Sequence, residues 1–103
     1  MCPMAQADQV VLQAPERLVS EYRIEFRRSA LDRMSKAADD GAQRITIDLR
    51  DTRDIDASGL GVLVLVQKRA RERFLATCLA NTPPSVRHLL QLTQLEVLFE
   101  FED

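Results

Sequence analysis

The sequence predicts a small α/β domain in which helices pack against a largely parallel β-sheet. Two observations carry that expectation. Segments with period-two alternation and β-branched residues recur between segments whose apolar residues are spaced by three or four. The order that results is strand, helix, strand, helix, strand, helix, strand, and such alternation places consecutive strands side by side in parallel with helices as crossovers. The 103 residues suffice for one domain, and a 46% hydrophobic content is enough to bury a single core without disulfides or metal.

Gln9-Val10-Val11-Leu12-Gln13 reads as a short strand, stopped by Ala14-Pro15 because proline has no N–H for a sheet ladder. Residues 1–8 are expected to be a flexible N-terminus, with the domain occupying 9–103. From about Val19 to Ala38 the pattern becomes helical, with Val19, Tyr22, Phe26, Ala30, Met34 and Ala37 on one stripe. Asp39-Asp40-Gly41 closes it, since glycine takes the left-handed conformation that ends a helix. Arg44 to Leu49 alternates as a strand, and loop residues follow from Arg50 to Asp54. The apolar run Leu60 to Val66 suits a buried strand or a buried helix; its basic continuation, Gln67 to Arg73, favours a helix with cations at its C-terminal end. Phe74 to Ala80 reads as a strand. Thr82-Pro83-Pro84-Ser85 offers a hydroxyl cap and a first-turn proline for a third helix bearing Val86, Leu89, Leu90 and Leu92. Glu96 to Phe101 reads as a closing strand, with an apolar end from Val97 suited to an edge contact.

Several function classes are disfavoured by composition. Fourteen Lys plus Arg against sixteen Asp plus Glu give a net charge of -2, with no basic stripe interleaved with aromatics, so nucleic acid is not an expected partner. The two cysteines, Cys2 and Cys78, are far apart and do not make a disulfide scaffold, so a cytoplasmic setting is expected. Cys78 is expected to pack as a small hydrophobe. The start lacks a basic stretch followed by an apolar run, and Leu60 to Val66 is far shorter than a membrane span, so neither export nor membrane insertion is expected. His88 is the sole histidine, and one histidine does not make a metal site. The charges from Lys68 to Arg73 are read as a solvated helix end rather than a docking patch.

The chemistry concentrates in Asp54-Ile55-Asp56-Ala57-Ser58-Gly59-Leu60-Gly61, where a strand-loop gives way to the apolar helix. Two readings share this geometry. In the structural one, Ser58 is an N-cap, the glycines allow close approach to the sheet, and the acids sit beside the positive end of the helix dipole. In the functional one, Ser58 is an exposed hydroxyl open to phosphorylation, and a phosphate there meets helix N–H groups while adding negative charge beside Asp54 and Asp56. Asp54-x-Asp56-x-Ser58 also has the superficial form of a haloacid-dehalogenase-type phosphatase start. That chemistry also needs a magnesium-binding acidic motif and a lysine further downstream, plus a larger core, and no lysine follows Lys68. Gly59-x-Gly61 alone does not make a nucleotide-binding loop.

Ile45-Thr46-Ile47-Asp48-Leu49, Ile55-Asp56-Ala57-Ser58-Gly59-Leu60-Gly61-Val62-Leu63, Leu79-Ala80-Asn81 and Val86 to Leu95 together resemble the STAS domain family, particularly the anti-sigma factor antagonists. The likeness extends from about Val10 to Phe101. The resemblance implies a single STAS-like domain with helices packed mainly on one face of a small, mixed but largely parallel sheet, and it places the run after Ser58 in a helix. It implies Ser58 as phosphoacceptor and Asp56, Ala57, Ser58, Gly59, Leu60 and Gly61 as partner-binding residues. The implied partners are an anti-sigma factor with serine kinase activity and a serine phosphatase acting on Ser58. The unmodified antagonist would capture the kinase and free a sigma factor for transcription. No catalysis, cofactor or metal is expected of the domain itself. The alternative within the same family is a non-switching accessory or scaffold subunit of a membrane lipid-transport or stress-sensing complex.

Three departures stand out. Ala57 occupies a position where many members carry a second serine. Ala14-Pro15-Glu16-Arg17-Leu18 replaces the family's Gly-x-Leu-Asp before the first helix, which leaves open a shortened or absent first strand. Arg71-Glu72-Arg73-Phe74 lacks the glycine common after the second helix.

Overall fold

The strands that the pattern singles out do pair side by side. In a computed structural model, which describes residues 9–21 and 23–102, β1 (Gln9–Gln13), β3 (Arg44–Asp48), β5 (Ala76–Ala80) and β6 (Glu100–Glu102) form a sheet in that order, every neighbouring pair parallel. The expected flexible stretch 1–8 and the stripe residue Tyr22 lie outside the described residues. Between the strands run α1 (Arg23–Asp39), α2 (Ala57–Glu72) and α3 (Pro84–Leu92). A sheet that grows in one direction through right-handed crossovers carries its helices on one face. Accordingly, Leu12, Ile45, Ile47 and Leu79 share one buried cluster with Phe26, Ala30 and Met34 of α1, Leu63 and Val66 of α2, and Val86 and Leu90 of α3. The opposite face holds Val11, Thr46 and Cys78 in register. Val11 is 46% exposed, yet Thr46 is buried between its neighbours, so β3 does not show the simple in-out alternation of its sequence. Cys78 is buried in β5, as expected of a small hydrophobe.

Where boundaries depart from the sequence reading, tertiary contacts explain the difference. α1 begins at Arg23 rather than near Val19, because Arg17–Leu18 (β2) is drawn into a two-residue parallel ladder with Asp54–Ile55 (β4). The same ladder makes a strand of residues otherwise read as loop and helix approach. The closing segment splits into a 3-10 turn, Glu96–Leu98, and the short edge strand β6. The cap expected at Thr82 is absent: Pro83 is the N-cap of α3 and makes no side-chain capping bond, although Pro84 does open the helix. Of the α3 stripe, Val86 and Leu90 are buried, while Leu92 is 68% exposed.

All three helices end alike. In α1, Ala42 N–H donates to the Ala37 carbonyl and Gly41 N–H to that of Ala38; Leu75 and Phe74 make the same pair of bonds to Ala70 and Arg71, and Leu95 and Gln94 to Leu90 and Gln91. This double closure puts one residue per helix in the left-handed region, namely Gly41 at φ 87, Phe74 at φ 63 and Gln94 at φ 60. Phe74 is therefore not the first residue of β5 but a helix terminator, which is where the family's missing glycine would stand.

Candidate functional site

The loops that leave β1 and β3 converge at the carboxyl ends of those strands, where small α/β domains usually present their sites. They are stitched together by Thr52 Oγ1 donating to the Pro15 carbonyl at 2.8 Å, by Arg53 N–H donating to the Glu16 carbonyl at 2.8 Å, and by the β2–β4 ladder. An exposed Arg17–Asp54 ion pair at 3.6 Å adds little to this, as solvent screens it. The ladder delivers the chain to Asp56, the residue before α2.

Asp56, not Ser58, caps α2. Its backbone is extended, its Oδ1 accepts from Gly59 N–H at 2.9 Å, and its carbonyl accepts the first helical bond, from Leu60 N–H, at 2.9 Å. Its Oδ2 accepts from Ser20 N–H at 3.2 Å, so one carboxylate ties the turn before α1 to the start of α2. These donors hold the carboxyl below its ordinary pKa: Gly59 N–H contributes most, partial burial opposes it, and Ser20 and Ser58 N–H groups add to the lowering. The structural role considered for Ser58 thus belongs to Asp56, through the strong N-cap preference of aspartate.

Ser58 is the second residue of α2, half-buried, and its hydroxyl makes no hydrogen bond among the described residues. Ala57 and Gly61 are exposed beside it, whereas Gly59 and Leu60 are buried. Gly59 lies against the β2 backbone, where a Cβ would fall 2.0 Å from the Leu18 carbonyl oxygen. A Cβ on Gly61 would meet nothing within 4 Å. The six residues of the expected partner surface therefore divide into an outward group, Asp56, Ala57, Ser58 and Gly61, and two that hold the helix against its support. Leu18 and Ser20, which complete the platform, carry no local sequence signal, because their roles come through backbone atoms.

No group of His, Cys, Asp or Glu among the described residues is placed to hold a metal ion, and His88 is exposed on α3. No described helix is long and apolar enough to cross a membrane.

Comparison with known proteins places this geometry in a family. The STAS domain model matches residues 9–103. A STAS-domain containing protein of Pseudomonas aeruginosa is 36% identical over 58 residues, a stretch covering 56% of this chain and 57% of that relative, so the match spans little more than half of either. A Thermotoga maritima protein assigned as an anti-sigma factor antagonist superposes with a TM-score of 0.80 at 26% identity, over 93% of this chain and 80% of its own. The Bacillus cell fate determinant SpoIIAA, in its phosphorylated form, shares the fold with a TM-score of 0.66 at 19% identity, over 97% of this chain and 87% of its own. With a family model covering nearly all of it and the family's fold throughout, the chain belongs to the STAS domain family.

Proposed function

We propose that this domain is an anti-sigma factor antagonist that works as a partner switch: with Ser58 unmodified it binds an anti-sigma factor that is also a serine kinase, and phosphorylation of Ser58 ends the complex. The observation that carries the reading is the division of labour at the start of α2. Asp56 caps the helix end, and the Ser58 hydroxyl makes no hydrogen bond among the described residues, which supports a role as acceptor rather than as cap. A phosphate on the second helical residue would sit at the positive end of a 16-residue helix, which tolerates an anion. It would also bring about -1.5 to -2 charges next to Asp54 and Asp56, and a partner surface fitted to a neutral hydroxyl would then face repulsion and desolvation. Ala57 and Gly61 leave the helix surface low around Ser58, which lets a partner approach closely. The likeness to anti-sigma factor antagonists in fold, and the solved SpoIIAA structures in both unphosphorylated and phosphorylated forms, are consistent with such a cycle. In this reading the domain binds and is acted upon, and a separate phosphatase resets it.

The test is intact mass followed by fragment mapping, after mixing the purified domain with ATP and the kinase-type anti-sigma factor encoded nearest to it. The expected result is a single phosphate on Ser58 and a weakened complex. Ser58→Ala should bind that partner and resist release, with thermal stability close to wild type, and Ser58→Asp should bind more weakly. Tight binding without any phosphate transfer would replace the switch with the scaffold or transport-accessory role.

A further inference from the structure

α1 and α2 run side by side in the same direction. At their starts Asp56 accepts from Ser20 N–H at 3.2 Å, and at their ends Arg73 is held by Asp39 at 2.7 Å and by Ser35 at 3.2 Å. Between these two ties the helices leave an open trough. A hollow of about 260 Å³ is lined by Ile24, Arg27, Arg28 and Leu31, and a second of about 190 Å³ by Leu31, Met34, Ser35, Arg69, Glu72 and Arg73, so the two meet at Leu31. Arg69 follows Ser58 by about three helical turns and therefore shares its face of α2. Ser58 accordingly stands at the head of the trough, about 16 Å before Arg69 along the helix.

Two kinds of side chain in the trough are not used by the fold. Ile24 is 52% exposed, since the core takes Phe26, Ala30 and Met34 from α1, and Leu31 beside it is half-buried. Arg27, Arg28 and Arg69 are exposed and make no ion pair among the described residues. The acids Asp32 and Asp39 of α1 are already engaged, by Lys36 at 3.3 Å and by Arg73 at 2.7 Å. The whole chain has a net charge of -2, yet this strip sets three unpaired cations against one acid, Glu72. An apolar seam flanked by cations is the complement of an apolar ridge flanked by carboxylates.

We infer, on the partner-switch reading of Ser58, that the trough is the second part of the partner-binding surface. It seats an amphipathic, acidic helix of the anti-sigma factor, whose apolar ridge lies on Ile24 and Leu31 and whose carboxylates meet Arg27, Arg28 and Arg69. The trough is continuous with the Ser58 surface, so a partner that covers the hydroxyl extends into it without leaving the domain. Two helices packed side by side accept a third in the groove between them. The charge pattern also couples docking to release. A phosphate at the head of the trough faces the carboxylates that the arginines attract, so the modification repels the docked helix while the domain stays folded.

The test is titration of the kinase-type anti-sigma factor encoded nearest to the domain, over a series of salt concentrations, with wild type and three variants whose folding is checked by thermal transition. Arg27→Glu and Arg28→Glu together should raise the dissociation constant about a hundredfold and flatten its salt dependence. Ile24→Ser, which removes an exposed apolar side chain, should raise it about tenfold. Arg33→Glu, a charge reversal on α1 outside the trough, should stay within about threefold of wild type, because an exposed charge away from the contact is screened. At saturating partner the trough variants should still take a single phosphate on Ser58, since the acceptor is untouched. A folded double variant that binds like wild type, or an Arg33→Glu that loses as much as the double variant, would overturn the trough and leave the Ser58 switch standing. Trough-dependent binding without phosphate transfer would keep the docking surface and overturn the switch, and a wild type that does not bind would overturn both.

Discussion

Gly59 and Leu18 are in direct backbone apposition: the space a Cβ would take on Gly59 is already occupied by the Leu18 carbonyl oxygen, 2.0 Å away, with Ile55 Cγ1 at 2.9 Å. A main-chain atom cannot rotate aside as a side chain can. Gly59→Ala should therefore push α2 off the β2–β4 platform. Overpacking costs about 1–3 kcal/mol, against a gain of about 1 kcal/mol from alanine's helix propensity. The net expectation is a lower urea midpoint with an unchanged m-value, and an increased midpoint would show that the platform yields freely.

Gly61, one half-turn later, should respond in the opposite sense. It is exposed within α2 and its Cβ position is open. Gly61→Ala should raise stability by about 0.5–1 kcal/mol, read as a higher melting temperature. If this surface docks a partner as proposed, the same variant should bind that partner more weakly, because a methyl group then stands on the contact.

Asp56 supplies a pH-dependent contribution. Its folded pKa is depressed, chiefly by Gly59 N–H, so the charged form is favoured by folding. The stability from that charge is present above its unfolded value, near 3.8, and is lost as pH falls through the lower folded value. Asp56→Asn keeps an oxygen to cap the helix and removes the charge. The wild type should be the more stable of the two at neutral pH, and the gap between their urea midpoints should shrink below about pH 4. A gap that stays constant down to pH 2 would mean that the carboxylate charge adds nothing beyond the cap.

Much of the fold is legible along the chain because its determinants are local. The alternation in Gln9–Gln13 and Arg44–Asp48, the spacing of Phe26, Ala30 and Met34, and the closure at Gly41 each reflect preferences within a few residues, and each element is found where that pattern lies. The run Leu60 to Val66 is different. Its composition suits strand or helix, and the basic continuation Gln67 to Arg73 together with the resemblance, rather than periodicity, points to the helix that forms.

The sequence by itself determined the α/β class, the parallel order of elements, the concentration of polar groups around Ser58, and the family to which those residues point. The tertiary structure decided who does what within that segment. Asp56 rather than Ser58 caps α2, because the β2–β4 ladder brings Ser20 and the helix start to the same carboxylate. Gly59 is needed for close approach and Gly61 is not, because only Gly59 faces a backbone from another part of the chain. Phe74 terminates a helix instead of opening a strand, because the closing bonds to Ala70 and Arg71 turn the chain there. In each case the deciding contact joins backbone atoms whose meeting depends on the whole fold, and a main-chain amide or carbonyl is the one group that every residue carries, so its partner cannot be read from side-chain identity.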